Sequence, residues 1–132
     1  MAMKRIVSER VKEPRPQTWS NCRVFGNQVF ISGMTAHDLA GGVPGDKSMY
    51  GQARQTFEKI KALIEAAGGQ MNDIIKVNIF VTDITRREEV WKARAEFFTG
   101  DFPVSTLVEV SALAIPDLLV EIEAVGFIGG SK

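Results

Sequence analysis

Hydrophobic and polar residues recur with distinct periods along the chain, and these periods predict its secondary structure. Two short apolar runs within 23–32 flank Gly26 and Asn27, a pair typical of the turn in an antiparallel hairpin. Over 50–67 the apolar residues recur every three or four positions, which predicts an amphipathic helix that ends at Gly68 and Gly69. The segment 75–81 then alternates as a half-buried strand does.

A second helix and two final strands complete the predicted order. Thr85 is predicted to cap the second helix, because Glu88 three residues later would complete a capping box, and this helix should stop by Gly100. The segment 102–127 predicts two more strands. Strands, helix, strand, helix and two strands predict an α/β protein with both helices on one face of the sheet. The segment 33–48 lacks periodicity and predicts a long loop, a feature that often borders a site.

Length, charge and cysteine content narrow the class of protein. The 132 residues have the size of one domain, so we expect a single unit over 1–132. Sixteen basic and sixteen acidic residues leave no net attraction to nucleic acid or anionic membranes. No apolar stretch approaches the ~20 residues that cross a bilayer, and the charged N-terminal segment differs from a signal peptide. We expect a soluble, cytoplasmic protein that binds neither nucleic acid nor a membrane.

Few residues in the chain are suited to catalysis. His37 and Cys22 are the single histidine and the single cysteine, and a dyad of the two is an alternative to a solvated histidine and a small buried cysteine. The sequence has no zinc-ligand spacing and no phosphate-binding glycine motif, so we expect no metal and no organic cofactor. Carboxylates remain: strand alternation places Glu121 and Glu123 on one face and Ile122 on the other. Taken alone, such a pair would be ordinary surface charge.

The segment 102–127 also carries a family resemblance. A proline precedes a β-branched run that ends in V-x-V, and L-x-x-P-D-L-L-V-E-I-E-A follows. This pattern resembles the C-terminal signature of the RidA (YjgF-type) reactive-intermediate deaminase family, and the similarity covers nearly the whole chain from the Trp19 region onward. The resemblance implies a chorismate-mutase-like fold with a mixed β-sheet, assembled as a homotrimer with ligand clefts between its subunits.

The resemblance also implies a set of site residues. Glu121, the first glutamate of V-E-I-E-A, matches the residue that positions the attacking water, and a carboxylate of raised pKa can act as a base near neutral pH. Ser32 and Gly33 match positions whose hydroxyl and backbone N–H lie beside the ligand. Trp19 replaces a usual tyrosine and Trp91 an often polar residue, and both would cover an apolar part of the ligand, with core packing as the alternative.

One position departs from the family pattern. Imine-hydrolysing members read P-x-R-[ST], with the arginine on the substrate carboxylate, whereas this chain has Ser105 in that place. Loss of a bidentate, charge-assisted contact costs roughly 1.5–3 kcal/mol, or about ten- to a hundredfold in binding, so small 2-imino acids should bind poorly. Ser105 is alternatively a polar strand residue of a trimer interface. Another arginine would replace the lost contact only if it reached the cleft from a different direction or from another subunit. The arginines considered for this role are Arg23, Arg54, Arg86, Arg87 and Arg94.

Three functional hypotheses follow. The first is a RidA-like hydrolase that deaminates an enamine or imine metabolite other than 2-aminoacrylate, with Glu121 acting on water and Ser32, Gly33 and Ser105 holding polar atoms of the ligand. The alternative is a non-catalytic trimer that binds a small metabolite in the same clefts. The third is a translation-inhibiting ribonuclease, an activity named for some relatives, which the neutral charge and the lack of a histidine pair disfavour. Glu123 and Glu109 are expected to form ion pairs or to face water.

Overall fold

The structure is a computed structural model that describes residues 1–37 and 42–132. Residues 38–41, part of the predicted loop over 33–48, lie outside the described residues. The elements of the described chain are β1 (Lys4–Ile6), β2 (Cys22–Phe25), β3 (Gln28–Met34), α1 (Met49–Ala66), β4 (Ile74–Val81), α2 (Arg87–Arg94), β5 (Val104–Glu109) and β6 (Val120–Phe127). Among these residues no helix has both the length and the apolar character that a membrane span requires.

The strands form one mixed sheet in the order β1-β2-β3-β6-β4-β5. β6 is antiparallel to both β3 and β4, whereas β5 is parallel to β4 and forms one edge of the sheet. α1 packs on β3 and β6, and α2 packs beside α1. The mixed sheet with its helices on one side confirms the predicted fold class, and the Gly26-Asn27 hairpin is present as expected.

α1 supplies most of the helical side of the core. It begins where the Ser48 hydroxyl accepts a hydrogen bond from the Gly51 N–H at 3.0 Å, and it is followed by Gly68 with a φ of 97°, a conformation that favours glycine. Phe57 and Ile60 are completely buried on its inner face, as is Ile122 of β6. Burial of side chains of this size is the main stabilising contribution to the fold.

Three local features differ from the sequence predictions. The short strand β1 was not anticipated, because its three residues carry no alternation. The capping role of Thr85 is wrong: the Asp83 carboxylate accepts a hydrogen bond from the Thr85 N–H at 3.0 Å, a 3₁₀ turn over Ile84–Arg86 follows, and α2 begins only at Arg87. The predicted loop also starts later, because β3 continues to Met34.

The sheet face opposite the helices carries apolar side chains that remain exposed in the single chain. Phe30 of β3 is 46% exposed and Val104 of β5 is 60% exposed, and Phe25 and Val108 are also exposed. An exposed apolar surface that extends over several strands is typical of a face that contacts another protein chain.

Candidate functional site

A bulge in β3 shapes the first part of the site. Ile31 pairs with Ala124, but Met34 pairs with Ile122, so β3 has one residue more than β6 over this interval. Bulges of this kind redirect side chains and are frequent beside active sites. The Ser32 hydroxyl within the bulge donates to the Ser20 carbonyl at 2.5 Å. Its proton is therefore engaged, and a lone pair of the Ser32 oxygen is left to accept a hydrogen bond.

The carboxylate of Glu121 lies directly against the backbone of Gly33. A Cβ atom at position 33 would stand 2.0 Å from Oε2 of Glu121, so the carboxylate occupies space that only glycine leaves open. Glu121 is half-buried, and its burial, with a smaller contribution from the neighbouring Glu123, raises the pKa of its carboxyl above the ordinary value. The Glu123 carboxylate instead accepts a hydrogen bond from Asn78 Nδ2 at 3.0 Å. The two glutamates thus share a face but have different surroundings.

In an enzyme that uses Glu121 as its base, Gly33→Ala is expected to reduce kcat/KM about tenfold, because the added methyl group would push the Glu121 carboxylate out of its position. The free energy of unfolding should change by no more than about 1 kcal/mol, since the displaced atoms are the end of a flexible side chain. Steady-state kinetics and chemical denaturation measure the two effects. Gly42→Ala is the matched control, because a methyl group there meets no atom of residues 1–37 or 43–132 within 4 Å. Unchanged kinetics in Gly33→Ala would contradict the role given to this contact.

Glu121, Ser32 and Gly33 border a cleft of about 450 Å³. Trp19 covers one side and is 59% exposed, so its side chain is not a core residue. The remaining described lining residues are Thr35, His37, Ala114, Ile115 and Leu118. A second hollow of about 620 Å³, lined in part by Lys12, Arg15 and Lys59, shares Trp19, Gly33, Thr35 and His37 with the first. The cleft therefore places one carboxylate among mostly apolar surface, and the adjoining hollow holds Glu13 as well as three basic residues.

A buried glutamine fixes the wall of the cleft formed by 114–118. Gln52 of α1 is completely buried, donates to the Asp117 carbonyl at 2.9 Å and accepts from the Leu119 N–H at 2.9 Å. These two bonds tie the C-terminal end of the wall to the helix. Ala114, at the opposite end of the wall, remains exposed.

Ser105 and Trp91, predicted for the same cleft, do not border it within one chain. Both lie at the α2–β5 edge of the sheet. Trp91 is 42% exposed, and the Arg87 guanidinium lies 5.7 Å from its ring centroid. The Ser105 hydroxyl accepts a hydrogen bond from Nη1 of Arg94 at 3.0 Å. The structure therefore brings four of the predicted residues together and holds the other two in a second group.

Sequence reasoning missed several residues of the site. His37 was interpreted as a solvated loop residue, yet it lines the cleft, and its place soon after the end of β3 was the available signal. The dyad of Cys22 and His37 is wrong: Cys22 is 1% exposed within the core, and burial raises the pKa of its thiol to about 11. Glu109 is exposed, in agreement with the expectation that it forms an ion pair or faces water, and it also accepts a hydrogen bond from the Ile84 N–H at 3.0 Å.

The fold and the site together describe a small mixed-sheet domain whose cleft holds a carboxylate beside a bulged strand. Comparisons with known proteins assign this kind of domain to a family. The family model described as Endoribonuclease L-PSP matches residues 12–128. A RutC family protein from Pyrococcus horikoshii is 40% identical, covering 86% of this chain and 90% of its own. A 2-iminobutanoate/2-iminopropanoate deaminase from Escherichia coli is 38% identical, covering 76% of this chain and 80% of its own.

The solved structures agree as well. A protein of unknown function from Pseudomonas aeruginosa superposes with a TM-score of 0.86 at 39% identity, over 96% of this chain and 93% of its own. The chain belongs to the RidA (YjgF-type) family, because the Endoribonuclease L-PSP model represents this family and matches residues 12–128. The resemblance inferred from the C-terminal signature is thereby confirmed.

Proposed function

We propose that the protein is a hydrolase that deaminates an enamine or imine metabolite other than 2-aminoacrylate, in clefts between the subunits of a homotrimer. The observation that carries this proposal is the Glu121 carboxylate, which is half-buried against Gly33 in an apolar cleft with a pKa above its ordinary value. The similarity to an E. coli protein named as a 2-iminobutanoate/2-iminopropanoate deaminase supports the reaction class.

The proposed reaction needs only water and one base. An enamine first takes a proton from solvent on its β-carbon and becomes an iminium ion. Glu121 accepts a proton from water as the water oxygen bonds to the iminium carbon, which gives a neutral carbinolamine. Glu121 then returns this proton to the nitrogen, the C–N bond breaks with its electron pair leaving on ammonia, and the ammonia takes up the hydroxyl proton as the carbonyl product forms. We propose that no metal or organic cofactor takes part.

Ser32 and Trp19 are assigned the binding of the substrate. Because the Ser32 hydroxyl already donates to the Ser20 carbonyl, its oxygen suits an N–H donor such as a protonated imine. The exposed ring of Trp19 suits the apolar part of the ligand. The proposed partner is thus a small metabolite, and the proposed location is the cytoplasm.

The proposed assembly is a homotrimer, supported by the exposed apolar face of the sheet and by the separation of Ser105 and Trp91 from the Glu121 cleft within one chain. Light scattering coupled to gel filtration should give about three times the 14.5 kDa chain mass. A clean monomer at micromolar concentration would contradict both the trimer and a cleft between subunits.

A panel of imines tests the reaction. An amino-acid oxidase converts different amino acids to imines in situ, and the release of ammonia is followed with and without the protein. Acceleration of at least one imine by the wild type, lost in Glu121→Gln, is the expected result. The serine at position 105 favours the alternative of a non-catalytic metabolite-binding trimer. Metabolites that raise the melting temperature without being altered would support that alternative over hydrolysis.

A further inference from the structure

His37 is the single histidine of the chain, and it takes no part in the hydrolysis described so far. The alternation of buried and cleft-lining residues in β3 continues past the end of this strand at Met34. Met34 and Ala36 are buried, whereas Gly33, Thr35 and His37 line the cleft. The side chain of His37 therefore lies on the cleft side of this segment, with Gly33 and Thr35.

Hydrogen bonds hold the backbone of His37 and leave its ring available. The His37 N–H donates to Oγ1 of Thr35 at 3.4 Å, and the His37 carbonyl accepts from Nζ of Lys59 in α1 at 2.5 Å. The ring nitrogens have no hydrogen-bond partner in 1–37 or 42–132, and within these ranges no buried side-chain nitrogen or oxygen lacks one. Because His37 is half-buried, its ring nitrogens must reach accessible surface, where a bound molecule would meet them.

A reaction that begins from an enamine needs an acid as well as a base. The β-carbon must take up a proton before water adds, and Glu121 serves the later step as an ionised base. Among the described lining residues, only His37 and Glu121 have side chains of a type that exchanges protons near neutral pH when its surroundings are suitable. The cleft of about 450 Å³ has the size of a small-molecule site, so a metabolite that fills it contacts both side chains.

We propose that His37 is the acid that protonates the enamine carbon, so that the protein takes enamines directly and does not wait for solvent to protonate them. This inference rests on the proposed function and deepens it. The proton leaves a ring nitrogen of the imidazolium as the C=C electron pair forms the new C–H bond, and the nitrogen lone pair of the enamine forms the C=N bond of the iminium ion. The neutral imidazole then regains a proton from water in the second hollow, which His37 also lines.

The test compares one carbon skeleton that enters the reaction in two forms. A threonine dehydratase releases the enamine 2-aminocrotonate, an amino-acid oxidase forms the imine 2-iminobutanoate from 2-aminobutanoate, and both end as 2-oxobutanoate and ammonia. The wild type should accelerate the release of 2-oxobutanoate from both forms, after the protein-free rate is subtracted. His37→Gln should lower the rate from the enamine at least about tenfold and leave the rate from the imine nearly unchanged, because only the enamine needs a proton on carbon. Weak binding of small 2-imino acids lowers both rates, so the measured quantity is their ratio.

Chemical rescue and two further variants separate proton transfer from other effects of the substitution. In His37→Ala, added imidazole should raise the rate from the enamine severalfold and leave the rate from the imine unchanged, because it supplies the missing acid. Arg15→Gln is the matched control: Arg15 is an exposed cation of the second hollow, and its loss should keep the ratio of the two rates. Glu121→Gln should lower both rates, because both forms require the addition of water.

The outcomes distinguish this inference from the hydrolase proposal. The acid role of His37 is overturned if His37→Gln changes the two rates by the same factor or changes neither, or if imidazole does not rescue His37→Ala. A wild type that hydrolyses imines but does not accelerate the release of 2-oxobutanoate from 2-aminocrotonate would overturn the acid role alone and leave the hydrolase standing. A wild type that accelerates no enamine and no imine would refute the hydrolase, and the acid role with it.

Discussion

Glu121→Gln should lower turnover by about 10² to 10⁴ once a substrate is in hand, whereas Glu123→Gln should have a much milder effect. Glutamine keeps the shape and the hydrogen-bonding capacity of Glu121 but cannot accept a proton from water. The Glu123 carboxylate is bonded to Asn78 and lacks the contact with Gly33, so it serves as the matched control. Single-turnover and steady-state kinetics of both variants provide the measurement. Full turnover in Glu121→Gln would refute the hydrolytic mechanism.

The pKa of Glu121 gives the same prediction a pH dependence. The base must be ionised, so kcat/KM of the wild type should fall as the pH drops through the raised pKa of Glu121, above the ordinary range of a glutamate. The contribution of Glu121 to the free energy of unfolding depends on pH in the opposite direction, and it falls as the pH rises. Because folding raises this pKa, the ionised carboxylate destabilises the native state at higher pH, and Glu121→Gln should leave the free energy of unfolding at neutral pH equal or slightly higher. A large loss of stability would indicate that glutamine has disturbed the fold and not only the base.

The second large effect concerns 2-aminoacrylate. Its conversion to pyruvate should be about ten- to a hundredfold slower than in a relative that has arginine at the position of Ser105, because the carboxylate on the reacting carbon lacks its usual partner. Ser105→Arg should recover part of this rate. A coupled assay that generates 2-aminoacrylate measures the rate of pyruvate formation for the wild type, for the arginine-bearing relative and for Ser105→Arg.

Two outcomes of that assay are decisive. A wild-type rate equal to that of the arginine-bearing relative would show that another group, with Arg94 as the first candidate, binds the carboxylate of 2-aminoacrylate itself. A Ser105→Arg variant that remains a trimer and gains no activity would show that position 105 does not limit the reaction.

Much of the fold follows from local patterns in the sequence. The apolar period of α1 agrees with Met49–Ala66 to within a residue, because one helix face is buried along its whole length. Alternation in β6 correctly separates Ile122 from Glu121 and Glu123, since a strand with one buried face must alternate. The start of α2 was predicted wrongly because Asp83 and Thr85 are both residue types that cap helices. In the structure Asp83 accepts the capping hydrogen bond, from the Thr85 N–H.

The candidate site is less accessible to such reasoning. The wall over 114–118 has no period, and its position depends on a long-range bond from Gln52. Arg94 was one of five arginines that the sequence could not rank. Its approach to Ser105 depends on how α2 packs beside the edge strand, and no local pattern encodes that distance.

The bonds from Gln52 suggest a practical route to altered selectivity. Because they anchor the C-terminal end of the 114–118 wall to a buried helix, exchanges at the exposed Ala114 should reshape the cleft without disturbing the core. Ile115 packs against the buried cluster that contains Leu118, so exchanges at this position should stay apolar. A focused library at these two positions, with Gln52 left intact, would sample new ligands at little risk to folding. Natural divergence under the same restriction would concentrate in this wall, so that one scaffold could serve many different metabolites.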